Sequence, residues 1–174
     1  MYLISIYFDE KTESKIRSYM KQIAKHTGNT CMIDGSVPPH ITIAGFKTDS
    51  EETAKELFLN ISKTIPSKGI RWVSLGAFLP GVLYITPILN EYLHQLSEIY
   101  NNEEKKYKGL QIDLRYLPFQ WFPHTTLAKH LTVQQMRKAF EIMQNQFAPF
   151  EGTAVKIGLA KTNPYEDLLT IDLK

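Results

Sequence analysis

The sequence predicts an α+β fold built from two similar halves. Apolar strand-like runs alternate with segments of helical periodicity, and turn pairs such as Pro80-Gly81 separate neighbouring strand-like runs. Both halves also repeat one order, namely a His-x-Thr strand, a capped helix and a hairpin, which indicates an internal duplication. With 174 residues and 43% hydrophobic content, the chain fits a single two-lobed domain over residues 1–174.

The first half contains strands and amphipathic helices in alternation. Its apolar positions recur every second residue in the strand-like runs and every three or four residues in the helical runs. The predicted elements are a strand at Tyr2–Phe8, a helix from Glu10 to about His26, a strand at His40–Phe46, a helix capped by Asp49 or Ser50, and a hairpin of 70–79 with 82–86.

The second half repeats this order after an additional helix. Thr132, with Gln135 three residues later, matches the capping box that opens a helix, and we expect Val133, Met136, Phe140 and Met143 to form its buried face. The other predicted elements are a helix from Pro87 to about Tyr100, a charged loop at 101–108, a strand at 110–117, a strand at 124–129, and a hairpin of 154–161 with 168–173 around Asn163-Pro164-Tyr165.

Composition excludes several classes of function. A formal charge of +2 is too small for a protein that holds duplex DNA by counterion release. The single Cys31 cannot form an internal disulfide, and the apolar run that opens the chain reads as a strand rather than a signal peptide. No apolar run approaches the ~20 residues of a membrane span. We therefore expect a cytoplasmic monomer that does not contact membranes.

Two motifs carry the candidate chemistry. The first reads Pro39-His40-Ile41-Thr42 and the second reads Pro123-His124-Thr125-Thr126. Side chains two apart in a strand point to one face, so each motif presents an imidazole beside a hydroxyl, with the intervening residue facing the core. One neutral and one protonated histidine can serve as general base and general acid, and hydroxyls can donate to phosphate oxygens. The pattern predicts phosphoester cleavage by His40, Thr42, His124 and Thr126.

Other interpretations of the motifs remain open. A single His-x-Thr triplet occurs by chance, and His26, His94 and His130 read as surface histidines. A binding module could retain the same cleft without chemistry. A metallohydrolase has less support, because the motifs contain no carboxylate or cysteine to complete a coordination set. We expect no metal and no cofactor.

The motifs His40-Ile41-Thr42-Ile43 and His124-Thr125-Thr126-Leu127 resemble the paired signatures of the 2H phosphoesterase superfamily, in particular its bacterial 2'-5' RNA ligase and cyclic phosphodiesterase-like group. The resemblance implies antiparallel sheets lining a central cleft with helices on the outside. It also implies metal-independent hydrolysis of cyclic phosphates or 2'-5' linkages in nucleotides or RNA ends. By the same resemblance, Lys129 stands where a basic residue helps to hold the phosphate.

Aromatic residues suggest a further contact with substrate. Trp121 and Phe122 directly precede the second motif, and exposed aromatic rings stack on nucleic acid bases. Aromatic residues in strands are more often part of the core. Among the aromatic residues of the chain, these two are the preferred candidates for stacking on a base.

Overall fold

The computed structural model describes residues 1–35, 37–162 and 164–174. Within these ranges it contains eight strands, five α-helices and one short 3₁₀ helix. The strands are β1 (Tyr2–Phe8), β2 (His40–Lys47), β3 (Lys68–Phe78), β4 (Val82–Pro87), β5 (Gln111–Ile112), β6 (Thr125–Ala128), β7 (Phe150–Lys161) and β8 (Glu166–Asp172). The helices are α1 (Glu10–Thr27), α2 (Cys31–Asp34), α3 (Glu51–Ser62), α4 (Glu91–Glu104) and α5 (Val133–Gln146), with the 3₁₀ turn at Leu114–Tyr116.

The strands form one continuous antiparallel sheet in the order β5-β2-β1-β7-β3-β4-β6, with β8 paired to β7. Strand β7 joins the two halves, because its residues 154–161 pair with β1 and its residues 150–154 pair with β3. The predicted antiparallel α+β architecture is confirmed. The two halves share one hydrogen-bonded sheet rather than two separate ones.

Local capping explains where the helices begin. The Asp9 carboxylate accepts a hydrogen bond from the Thr12 backbone N–H at 3.0 Å, and the Ser50 hydroxyl accepts one from the Thr53 N–H at 3.1 Å. The predicted capping box of Thr132 and Gln135 is present in both directions. Each cap satisfies backbone donors that have no partner within the helix.

The helices cover the sheet in pairs, with α1 against α5 and α3 against α4. Their apolar faces fill the core together with the inward side chains of the strands, which removes apolar surface from water. The predicted face of α3 is confirmed, because Ala54, Leu57, Phe58 and Ile61 are all buried. Within the described ranges, no helix has the length and apolarity needed to cross a membrane.

Several predicted boundaries are wrong. Pro87 ends β4 opposite Trp72, and the following helix begins at Glu91, because the side chain of Asn90 caps it. That helix continues to Glu104, so it includes the first four residues of the predicted loop at 101–108. The predicted strand at 110–117 is a two-residue strand followed by the 3₁₀ turn.

The buried face of α5 also differs from the prediction. It comprises Met136, Ala139, Ile142 and Met143, whereas Val133 and Phe140 are exposed. Strands β7 and β8 form the expected hairpin. The predicted turn residue Asn163 lies outside the described residues.

Candidate active site

The two motif strands face each other although they are remote in the sheet. Strands β2 and β6 are separated by four strands in hydrogen-bonding order. His40 from β2 nevertheless lines one cavity of about 150 Å³ together with Thr126 and Lys129. The sheet therefore curves until its two outer parts meet. The other residues that line this cavity are Cys31, Met32, Gly35 and Val37.

Trp121 links the two motif strands from within the core. Its indole N–H donates a hydrogen bond to the backbone carbonyl of Thr42 at 3.0 Å, and the residue is only 7% exposed. Burial leaves little of this ring free to stack on a base, and its stacking role stays a prediction. Phe122, the other stacking candidate, is 47% exposed.

The two candidate catalytic histidines are oriented by the same kind of hydrogen bond. His40 Nδ1 lies 2.7 Å from the carbonyl oxygen of Pro38, and His124 Nδ1 lies 2.9 Å from that of Phe122. A carbonyl can only accept, so in each ring Nδ1 carries the proton and Nε2 holds the lone pair when the ring is neutral. The proline between each histidine and its acceptor fixes the backbone φ angle, which helps to orient that carbonyl.

Burial determines the protonation of both rings. It lowers the pKa of His40 below its usual value, the hydrogen bond to Pro38 opposes this effect, and the positive charges of His124 and Lys129 lower the pKa further. Burial also lowers the pKa of His124, against the hydrogen bond to Phe122. Both imidazoles are therefore neutral near pH 7 in the absence of substrate.

A tyrosine from a neighbouring strand lies beside each histidine. Tyr7 of β1 pairs with His40, and their ring centroids are 6.2 Å apart. Tyr84 of β4 pairs with Thr126, and its ring lies 5.4 Å from that of His124. Each motif histidine therefore has an aromatic neighbour supplied by the adjacent strand.

The tyrosine rings lie across the backbone of adjacent strands. A Cβ atom at Gly76 would lie 2.5 Å from the ring of Tyr84, and one at Gly158 would lie 2.6 Å from the ring of Tyr7. Only glycine leaves space for a ring in these positions. The two halves therefore use the same packing to support their histidines.

Apart from the Nδ1 hydrogen bond and the adjacent tyrosine, the two histidines have different surroundings. The ring of Phe78 meets that of His124 edge to face at 4.8 Å, and Phe122 packs near Tyr84 at 5.7 Å. His124 is therefore packed among aromatic rings.

The His40 side is polar. Tyr7 interacts with Tyr165, whose hydroxyl donates to the carboxylate of Asp167. The charge of Asp167 raises the pKa of His40, partly offsetting the effect of Lys129.

The threonines of the two motifs occupy different environments. Thr126 lines the cavity with His40, whereas Thr42 does not, and the hydroxyl of Thr42 lies 3.2 Å from that of Ser5. The intervening residues Ile41 and Thr125 are fully buried, which confirms the core position predicted for Ile41.

Lys129 is held at the cavity by its backbone. Its carbonyl accepts a hydrogen bond from the side-chain amide of Asn29 at 3.1 Å. This contact ties the end of α1 to the segment that follows the second motif. Lys129 therefore stays close to His40, in line with the electrostatic effect on that ring.

Sequence reasoning missed the supporting residues. Tyr7, Phe78 and Asn29 contact the site only through pairing or packing between distant segments. A periodic pattern does not reveal such pairings. The one available signal was glycine within predicted strands, which marks a close approach of another group.

The part of the chain that the structure describes contains no group of three or more His, Cys, Asp or Glu side chains arranged to hold a metal ion.

Comparison with known proteins gives one family and several related structures. The sequence profile described as the 2'-5' RNA ligase superfamily matches residues 13–166. Similar solved structures include a phosphoesterase (TM-score 0.65, 18% identity), Escherichia coli LigT complexed with 3'-AMP (0.66, 15%) and TT0787 of Thermus thermophilus (0.63, 15%). Each alignment covers 99% of this chain and 97% of the other. Among curated proteins, none matches the chain with significance.

Proposed function

The chain belongs to the 2'-5' RNA ligase superfamily, and on this premise we propose that it is a metal-independent phosphodiesterase acting on 2',3'-cyclic phosphates or 2'-5' linkages of nucleotides or RNA ends. The observation that carries the proposal is the matched pair of histidines. His40 and His124 use the same Nδ1 hydrogen bond, and they lie close enough for the charge of His124 to lower the pKa of His40. Two such groups suit one base and one acid.

The proposed reaction uses Nε2 of both rings. A neutral imidazole takes a proton from water as the water oxygen bonds to phosphorus, and a protonated imidazole gives its proton to the departing ribose oxygen as that P–O bond breaks. Bound phosphate carries negative charge, which raises the pKa of a neighbouring histidine. Substrate binding would therefore supply the protonated partner that the free site lacks.

Two further groups support the proposed transition state. Thr126 and Lys129 line the cavity that contains His40, and both can donate hydrogen bonds to non-bridging phosphate oxygens. The lysine adds a positive charge, although without the paired donor geometry of arginine. Thr42, whose hydroxyl lies beside that of Ser5, would take the corresponding place in the first motif.

The test is turnover of a substrate panel with EDTA present throughout. The panel contains nucleoside 2',3'-cyclic phosphates, RNA ending in a 2',3'-cyclic phosphate, and 2'-5' linked oligoadenylate. We expect cleavage of at least one member, reduced about 10²- to 10⁴-fold by His40→Ala and by His124→Ala. The matched control is His26→Ala, which removes an exposed histidine at the end of α1.

Two results would contradict the proposal. Full activity in both histidine variants would show that these rings are not the acid and base. Tight binding of a panel member without any turnover would instead indicate a binding module that uses the same cleft.

A further inference from the structure

A tyrosine outside both motifs contacts the first motif and shares a cavity with the second. The hydroxyl of Tyr116, at the end of the 3₁₀ turn, forms a hydrogen bond with that of Thr42. Tyr116 and His124 also line one cavity of about 290 Å³. Tyr116 therefore borders both His-x-Thr motifs. The other residues that line this cavity are Phe78, Arg115, Gln120, Trp121 and Phe122.

Packing fixes the position of Tyr116. Its ring lies against the backbone of β2, because a Cβ atom at Gly45 would lie 2.7 Å from the ring. Its backbone N–H donates to the carbonyl of Asp113 at 3.1 Å, and its own carbonyl accepts from the hydroxyl of Ser97 at 3.1 Å. Contacts at both the backbone and the ring leave the hydroxyl in one place before any ligand binds, which is what a catalytic donor requires.

Three hydroxyl groups form a chain that ends at Tyr116. The hydroxyls of Ser5 and Thr42 lie 3.2 Å apart, and Ser5 is only 4% exposed. Burial raises the pKa of the Tyr116 phenol, whereas the charge of Arg115 and the hydrogen bond with Thr42 lower it. A bond donated to the phenolic oxygen has this lowering effect, which favours Thr42 as the donor. Because Thr42 has one hydroxyl proton, the phenol is then the group left to donate to a ligand.

We propose that Tyr116 is a further catalytic residue, whose hydroxyl donates a hydrogen bond to one non-bridging oxygen of the phosphate. Ser5 and Thr42 are positioning residues, since they hold the phenolic oxygen without touching the substrate. This role rests on the proposed function for the place of the phosphate, and it takes over the contact assigned there to Thr42. A phenol is more acidic than an aliphatic alcohol, so it is the stronger donor to an oxygen that gains charge.

The two non-bridging oxygens of a phosphodiester would then have separate donors. Thr126 and Lys129 line the cavity that contains His40, whereas Tyr116 lines the cavity that contains His124. Donors in two cavities approach the phosphorus from different directions. We therefore expect Tyr116 to act on one of the two oxygens and not on the other.

Replacement of single phosphate oxygens by sulfur tests this contact. The substrates are the Rp and Sp phosphorothioate forms of whichever panel compound is cleaved fastest, together with the unsubstituted compound. Sulfur is a weak hydrogen-bond acceptor, so it should lower kcat where Tyr116 donates. In Tyr116→Phe, we expect kcat for the unsubstituted compound to fall about 10- to 100-fold. The additional effect of sulfur should vanish for one diastereomer and persist for the other.

Two further variants separate the contact from a structural role. Tyr107→Phe is the matched control, because it removes a tyrosine hydroxyl that accepts a hydrogen bond from Asn60 at 2.7 Å, and it should behave as the intact protein. Ser5→Ala should lower kcat about two- to tenfold alone and cause no further loss in Tyr116→Phe, because Ser5 acts through the chain. Sulfur effects that persist or vanish together for both diastereomers in Tyr116→Phe would overturn the proposal.

Binding tests the contact without turnover. We expect Tyr116→Phe to raise the Kd for adenosine 3'-monophosphate about tenfold in calorimetry and to leave the Kd for adenosine, which lacks phosphate, unchanged. If a panel compound is cleaved, the sulfur effects decide, and the proposed activity stands even where the role of Tyr116 fails. If none is cleaved, the activity fails and the two Kd values decide whether Tyr116 contacts phosphate. Absence of both turnover and binding in the intact protein would overturn both proposals.

Discussion

The two histidine motifs share their support but not their surroundings. At His40 and at His124, Nδ1 bonds to the carbonyl two residues upstream, and a tyrosine packed over a glycine lies beside the ring. These shared features fix the orientation of the two imidazoles. The two halves are therefore most alike in the features that orient Nε2, the atom to which the proposed function assigns proton transfer.

The two sides diverge where a substrate would be recognised. Lys129 and Asp167 act electrostatically on His40, whereas Phe78 packs against His124. A charged side suits phosphate and water, and an aromatic side suits an organic group. If the chain binds a phosphodiester as proposed, we expect the ligand to lie in one orientation rather than in two equivalent ones.

The largest expected effect comes from removing both shared imidazoles. If His40 and His124 act on one reaction, the double variant His40→Ala/His124→Ala loses little more activity than the more damaging single variant, because either loss already abolishes concerted proton transfer. Rates with the most active panel substrate test this expectation. Multiplication of the two single losses would mean that the rings act independently.

The second prediction concerns the packing of a tyrosine ring against a glycine beside each histidine. Gly76→Ala places a Cβ atom where the ring of Tyr84 lies, and Gly158→Ala does the same for Tyr7. Each ring must move and disturb the adjacent histidine, so we expect kcat to fall about 10- to 100-fold, since small displacements of catalytic groups have effects of this size. Steady-state kinetics would measure the change.

The control for this prediction lies in the same strand. A Cβ atom at Gly69 meets nothing closer than the Gly152 carbonyl at 4.0 Å, so Gly69→Ala should leave kcat unchanged. Urea unfolding of all three variants separates loss of fold from loss of activity. If Gly76→Ala retains full kcat, Tyr84 does not position His124.

Features that depend on neighbouring residues in the chain were predictable from the sequence. The capping box of Thr132 and Gln135 and the alternation within each His-x-Thr strand depend on a few neighbouring residues, and both are present. The helix predicted to start at Pro87 was wrong, because proline is compatible both with the first turn of a helix and with the end of a strand, where it lies here. The Asn90 cap decided the helix start.

Features that depend on distant pairing could not be predicted in this way. The contact of Tyr7 with His40 requires that β1 pairs with β2 in one register, and that of Phe78 with His124 requires that β4 pairs with both β3 and β6. Glu104 illustrates the same limit, because its carboxyl is buried at the end of α4 and burial raises its pKa, although its sequence context is charged. Packing between segments determined each of these outcomes.

A smaller effect is expected from replacing Lys129, the charged residue close to His40. Lys129→Met removes the positive charge beside His40, so the pKa of His40 should rise and KM should increase about tenfold through loss of a phosphate contact. Lys129→Arg should retain most of both properties. NMR titration of the His40 ring and steady-state kinetics measure the two responses, with Lys138→Ala, an exposed lysine of α5, as the control. An unchanged His40 titration in Lys129→Met would remove Lys129 from the site.

The smallest expected effect is on the pH dependence of stability, and it concerns both His40 and His124. Burial lowers the folded-state pKa of His40 and His124, so between the normal histidine value and these lower values the unfolded chain binds more protons. The contribution of these two histidines to the free energy of unfolding is therefore largest above that normal value, about 6.5, and falls as the pH is lowered through this range. Urea unfolding between about pH 8 and pH 5 should show that the free energy of unfolding falls less in His40→Gln and in His124→Gln than in His26→Gln. Because burial lowers both pKa values, both variants should weaken the dependence of the unfolding free energy on pH. A change in only one variant would show that the two histidines are not equally shielded from water.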